Sequence, residues 1–308
     1  MLVVLTGGTG GAKLIQGLVQ ESDPTGLTII CNTADDFVLH GLNISPDLDT
    51  IMYTLAGIND PVKGWGIAAE TFTVLSQLKK LGAETWFNLG DKDLGTHIVR
   101  TARLREGFPL SDVTKRLAAS LGVKSTILPM SDDRVETRVV TAEGEISFQE
   151  YFVKHRWQPE VKRVFYAGID EARPAPGVLA VIQAAGHIII CPSNPMTSIG
   201  PILAVPGIRD AIKRSNATVT AVSPIIGDSA ISGPAHKLMR AQGWEPAAFG
   251  IAKLYGDFLE TLIIDTADER LAEQIRRLNI RVIATSIRMD SNSDKSRLAR
   301  EILALVHG

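Results

Sequence analysis

Four glycines follow a short apolar run near the start of the chain, in Thr6-Gly7-Gly8-Thr9-Gly10-Gly11-Ala12-Lys13. Glycine lets the backbone approach an anion closely, and the N-terminus of a following helix favours negative charge. The segment therefore predicts a phosphate or nucleotide site at a strand–turn–helix junction. It departs from the P-loop: Ala12 stands where the second glycine belongs, and Leu14 where a Ser or Thr would hold Mg2+. It departs from the Rossmann fingerprint as well, because Lys13 replaces the small residue that packs helix on strand. Two further runs, Asn32-Thr33-Ala34-Asp35-Asp36 and Pro46-Asp47-Leu48-Asp49-Thr50, bring in Asp35, Asp36, Asp47 and Asp49. Adjacent carboxylates suit a hard cation, and beside phosphates they need one between them.

Other segments offer polar groups after apolar runs. Pro192-Ser193-Asn194-Pro195-Met196-Thr197-Ser198 supplies hydroxyls and an amide stiffened by prolines, a second anion or sugar pocket. Ser223-Pro224-Ile225-Ile226-Gly227 is a weaker version of the same pattern. Asn88-Leu89-Gly90-Asp91-Lys92-Asp93 opens a helix, with Asp93 as a candidate cap and Lys92 and His97 placed to face an anion. No Ser-His-Asp or Cys-His arrangement is readable, and the remaining histidines lack metal-ligand spacing.

These residues need a scaffold. Apolar runs at 2–5, 27–31, 163–167, 187–191, 218–222, 260–265 and 281–284 are mostly continuous rather than alternating, as in strands covered on both faces. Helical patterns at 12–20, 176–185, 208–214, 234–242, 268–278 and 293–307 alternate with them. Strand and helix in alternation predict an α/β, doubly wound, mostly parallel Rossmann-like sheet, with ligands beyond the carboxyl ends of its strands. The middle breaks this rhythm. Helices are expected over 67–81, 94–104 and 111–121, the last with Ser111 as its cap, then a hairpin of 136–141 and 145–148 around Ala142-Glu143-Gly144. The expected organisation is a core of residues 1–60 and 160–308, with a helical and hairpin insertion, 61–159, covering the cleft.

Bulk properties set limits. The 308 residues are 45% hydrophobic and 21% charged, with a net charge of −2, so no basic field invites nucleic acid or an acidic membrane. Cys31 and Cys191 each end an apolar run and read as buried, reduced thiols of a cytoplasmic protein. No run approaches the ~20 apolar residues of a membrane span, and the start of the chain has no signal-peptide pattern.

Taken together, the motifs resemble the 2-phospho-L-lactate transferases of coenzyme F420 biosynthesis. The resemblance rests on Gly7–Gly11, Asn32–Asp36, His40-Gly41, Pro46–Thr50 with Tyr53, Gly64-Trp65-Gly66, Leu89–Asp93 with Thr96-His97, Ser193–Pro201 and Ser223–Gly227. It runs in order over roughly residues 1–265. It implies that the ribityl hydroxyl of the deazaflavin Fo attacks the β-phosphate of lactyl-2-diphospho-5′-guanosine, or of an enolpyruvyl analogue, releasing GMP and forming coenzyme F420-0. It further implies Mg2+ at Asp35 and Asp49 with help from Asp36, and Asp49 near the Fo hydroxyl. Asn88, Lys92 and His97 would contact Fo. Gly7, Gly8, Thr9, Gly10, Gly11, Asn32, Ser193, Asn194, Thr197 and Ser198 would contact the donor, in a homodimer. Asn88 replaces a Lys and Lys92 an Arg found in several relatives. Two other readings compete: a non-catalytic nucleotide-sugar-binding regulator, which generally lacks the PDLDT and LGDKD strings, and a nicotinamide oxidoreductase, which lacks its fingerprint.

Overall fold

The computed structural model describes residues 1–231 and 233–307. Fourteen strands are present among them: β1 Leu2–Thr6, β2 Leu27–Cys31, β3 Phe37–Leu39, β4 Leu42–Ile44, β5 Thr126–Pro129, β6 Glu136–Thr141, β7 Glu145–Ser147, β8 Val161–Ala167, β9 His187–Ile190, β10 Thr218–Val222, β11 Ile225–Ile226, β12 Ser229–Ala230, β13 Thr261–Ile264 and β14 Arg281–Ala284. The helices are α1 Gly8–Glu21, α2 Pro46–Leu55, α3 Thr73–Lys80, α4 Asp91–Arg105, α5 Leu110–Ser120, α6 Val178–Ala184, α7 Ile199–Ala204, α8 Ile208–Arg214, α9 Ala235–Ala241, α10 Ala248–Tyr255, α11 Ala272–Arg276 and α12 Asn292–His307.

Seven strands form one sheet in the order β14-β13-β10-β9-β1-β2-β5, and every pair in it is parallel. The aliphatic runs explain this. β2 and β13 are buried at every position, so both faces need cover and only crossover helices supply it. Alternate residues of β1 enter different cores: Val3 and Leu5 lie on one face, Val4 on the other with Leu14, Ile15 and Leu18 of α1. The winding direction reverses between β1 and β9, which pair through Leu2 and His187. Ligands in such sheets sit at that reversal.

Several local expectations are corrected. The run 163–167 belongs to β8, which pairs antiparallel with β6 in a three-stranded sheet with β7, not with the central strands. The central sheet gains β5 instead, within the stretch read as insertion. β5 is only four residues long and ends in Pro129, which an edge strand tolerates and a sequence pattern hides. The helix expected over 67–81 is reduced to α3, because Asp91 caps it from outside: its carboxylate accepts from the Thr73 and Val74 amides, each at 3.0 Å. Ser111 is not a cap. Its amide and hydroxyl donate to Asp132 at 2.6 and 2.8 Å, so Asp132 organises the start of α5. The helix expected over 268–278 divides into a 3-10 turn, Thr266–Leu271, and the short α11. The helix expected over 176–185 starts at Val178, after a left-handed Gly177. No helix among the described residues is long and apolar enough to cross a membrane.

Candidate active site

α1 begins at the glycine turn itself. Gly7 is extended and Gly8 has φ +67°, a left-handed conformation that glycine adopts without strain. Close approach explains the other two glycines. A Cβ on Gly10 would lie 2.7 Å from the Pro192 carbonyl oxygen, and one on Gly11 would collide with Thr6 and come within 2.7 Å of Ser193 Oγ. The turn after β1 is therefore pressed against the loop after β9. The Gly7 amide donates to Ser193 Oγ at 3.4 Å, and Asn194 folds that loop by accepting from the Met196 amide at 2.9 Å. Tyr166 of β8 fixes the same loop, its hydroxyl donating to the Met196 carbonyl at 2.5 Å.

Above the sheet reversal lies a cavity of about 550 Å³. Gly7, Gly8, Thr9, Gly10, Asp35, Asp49, Asn88, His97, Ser193, Asn194, Thr197 and Ser198 all line it. Four residues named from the sequence do not. Gly11 is a packing position, as above. Asn32 is fully buried and bridges neighbours: its amide donates to Asp47 Oδ2 at 2.9 Å and to the Thr197 carbonyl at 3.1 Å. Asp36 accepts from Ser45 Oγ at 2.5 Å and lines a separate, smaller hollow. The Lys92 ammonium is tied to the Ala68 and Ala69 carbonyls at 3.0 and 2.9 Å.

The PDLDT run opens α2, which puts Asp47 and Asp49 on the cavity wall. Asp47 occupies the anion-seeking end of α1, where α1 itself has no acidic residue: a Cβ on Gly7 would lie 2.5 Å from its Oδ2. Burial pushes its carboxyl up to about 6, against the pull of the Asn32 amide and the Gly8 backbone. Burial raises Asp35 well above the ordinary carboxylate range, and the neighbouring Asp47 adds to it. Asp36 is raised chiefly by burial, with Ser45 opposing.

Asp49 meets α4. Both terminal nitrogens of Arg100 donate to its carboxylate, Nη1 to Oδ2 at 3.0 Å and Nη2 to Oδ1. His97, one turn earlier on α4, has Nδ1 3.6 Å from Asp49 Oδ2 and Nε2 3.3 Å from Asp93 Oδ2. Tyr53 of α2 donates to Asp93 Oδ1 at 2.6 Å. Burial raises the Asp93 carboxyl, but the His97 hydrogen bond and charge, Tyr53 and Arg100 outweigh it and leave it below its usual range. Arg100 loses by burial too, yet Asp49 more than offsets this and raises its pKa. Sequence reading saw Asp93 only as a cap and Tyr53 only as part of a motif, and missed Arg100. The signal was available: positions 93, 97 and 100 share one helical face.

One ligand atom each from Asp49, Asp93 and His97 lies within 4.8 Å of the others, a separation that suits a metal ion. The chain matches the family model described as 2-phospho-L-lactate transferase CofD over residues 2–304. The chain belongs to the CofD family. A phosphoenolpyruvate transferase of Streptomyces griseus is 45% identical over 310 residues, covering 99% of this chain and 98% of that protein. A 2-phospho-L-lactate transferase of Methanosarcina mazei is 40% identical over 302 residues, covering 98% and 99%. A UPF0052-family structure from Bacillus halodurans shares the fold, with TM-score 0.64, 19% identity and 98% of each chain covered. The resemblance read from the motifs is borne out, and CofD membership extends it beyond residue 265.

Proposed function

We propose that the cavity holds Fo and a guanosine diphospho-donor together, and that the protein moves the donor's phosphorylated three-carbon group to the ribityl hydroxyl. GMP leaves and coenzyme F420-0, or its dehydro form, is produced. The chain is a transferase of the 2-phospholactyl or phosphoenolpyruvyl type in F420 biosynthesis. One observation carries the reading: the glycine turn, the 192–198 loop and Asp49 line a single cavity at the sheet reversal.

Each group has a task. The backbone of Gly7–Gly10 receives the diphosphate beside Asp47, which already sits at the N-terminus of α1. Ser193, Asn194, Thr197 and Ser198 hold the donor on the opposite lip, and Thr197 brings a buried hydroxyl oxygen with no partner among the described residues. Asn88 and His97 wall the acceptor side, where Asp49 accepts a hydrogen bond from the attacking hydroxyl. Gly11, Asn32, Asp36 and Lys92 shape the site from behind.

The residues present fit Mg2+. Asp35 Oδ1 is buried without a partner among the described residues, and Asp35 and Asp49 both reach the cavity. Asp35 and Asp49 would hold the ion through oxygen ligands, which Mg2+ prefers over the nitrogen that His97 brings to the Asp49–Asp93–His97 cluster. Bound there, Mg2+ would neutralise charge on the diphosphate as GMP departs. The protein side of the reaction is positioning and electrostatics, with no covalent intermediate.

The test incubates the protein with Fo, Mg2+ and either the lactyl or the enolpyruvyl guanosine donor, reading GMP release and the mass of the product. GMP without a phosphorylated Fo product would overturn the acceptor assignment. Asp49→Ala with full activity and unchanged Mg2+ dependence would overturn the metal assignment.

A further inference from the structure

Arg100 is among the largest fully buried side chains in the protein, at 1% exposure. A guanidinium rarely leaves water without return, and an apolar side chain of similar volume often stabilises a core as well or better. The geometry shows what this one does. Its two terminal nitrogens take both oxygens of Asp49, the fork-to-fork arrangement in which an arginine fixes a carboxylate plane. Nη1 also lies 3.3 Å from His97 Nδ1. Arginine only donates, so in the neutral ring that accepts this contact at Nδ1 the hydrogen is on Nε2, 3.3 Å from Asp93 Oδ2. Nε of Arg100 is buried and has no partner among the described residues, so the side chain is committed at its tip alone.

We propose that Arg100 is a positioning residue with two separable effects on Asp49. Its fork sets the direction of the carboxylate, so that one edge faces Arg100 and the remaining lone pairs face the cavity. Its charge weakens the attraction of Asp49 for a second cation, so that a divalent ion is bound loosely enough to leave with product. The inference rests on Asp49 acting at the acceptor hydroxyl.

The two effects part under substitution. Arg100→Gln removes the charge and the fork; Arg100→Lys keeps the charge and loses the fork. Binding of Mn2+ alone, followed by electron paramagnetic resonance without any substrate, reads the charge. Arg100→Gln is expected to bind Mn2+ at least about tenfold more tightly than the wild type, and Arg100→Lys with about the wild-type affinity. Turnover reads the fork. Both variants are expected to lose about 100-fold in kcat, with donor KM nearly unchanged. Tighter metal with slower turnover is a pairing that a merely structural role does not give, because loss of structure weakens both. Arg100→Lys with wild-type kcat, or Arg100→Gln with Mn2+ affinity at or below wild type, would overturn the proposal. If Arg100→Gln does not fold, Arg100→Lys decides alone: lowered kcat with unchanged Mn2+ affinity supports the proposal, and weakened Mn2+ binding overturns it. Wild-type protein that fails to act on Fo sinks the acceptor reading instead, while the Mn2+ titration still tests Arg100 by itself.

Discussion

Replacing Asp47 by Asn is expected to make the protein more stable at neutral pH. Asp47 is 7% exposed, and burial lifts its carboxyl from 3.8 to about 6. A folded-state pKa above the unfolded one means that the native protein binds more protons between those values. Stability therefore falls as pH rises through that window and stays low above it. A shift of about two units corresponds to about 3 kcal/mol at pH 8. The amide of Asp47→Asn would carry no such penalty, and its oxygen would still accept from Asn32. Allowing about 1 kcal/mol for imperfect amide pairing leaves a gain of about 2 kcal/mol. For a chain of 308 residues that is a rise in Tm of about 3 °C. Calorimetry in EDTA measures it, since a bound cation would mask the burial penalty. The gain should shrink as pH falls from about 6 and vanish below 3.8, where the wild-type carboxyl is protonated in both states. An Asp47→Asn variant less stable than the wild type at pH 8, or one with the same gain at pH 4.5, would refute the electrostatic account of this carboxylate. Donor turnover should fall in the same variant, because the charge is retained at the phosphate turn at the expense of stability.

Four other substitutions test the surroundings of the cavity. Tyr166→Phe removes the hydrogen bond to the Met196 carbonyl, and should raise donor KM about fivefold with a stability loss of about 1 kcal/mol, read by steady-state kinetics and urea titration. Gly10→Ala sets a methyl group 2.7 Å from the Pro192 carbonyl and should cost about 2 kcal/mol with loss of donor binding by calorimetry, whereas Gly26→Ala meets nothing within 4 Å and should be neutral. Lys92→Ala should change KM for Fo less than about threefold, because the ammonium holds the 68–69 backbone rather than facing the cavity.

The parts of the site readable in the sequence were those encoded locally. Gly7–Gly10 announce close approach by composition, and the buried runs of β1, β2 and β9 announce a parallel sheet by being continuous. What stayed hidden depends on distant partners. Arg100 meets Asp49 across 51 positions, and only its place on the helical face of Asp93 and His97 sets it apart from the exposed arginines of α4. Asp91 caps a helix that precedes it by 17 residues, so the start of α3 could not be placed from its own residues. β5 has four residues and β8 seven, and only their pairing partners decide which joins the central sheet.

The pairing of β1 with β9 also sets an order of events during synthesis. Leu2 waits for His187, and α1 packs against α12, with Gly17 giving room for the Lys295 backbone and Lys295 Nζ donating to Gln16 at 2.8 Å. At about 5–20 residues per second, a ribosome takes many seconds to supply those partners. Until then the glycine turn belongs to a strand paired on one side at most and a helix with one face uncovered. A nascent chain therefore has no phosphate cradle to offer until residues near His187 and Lys295 have been made.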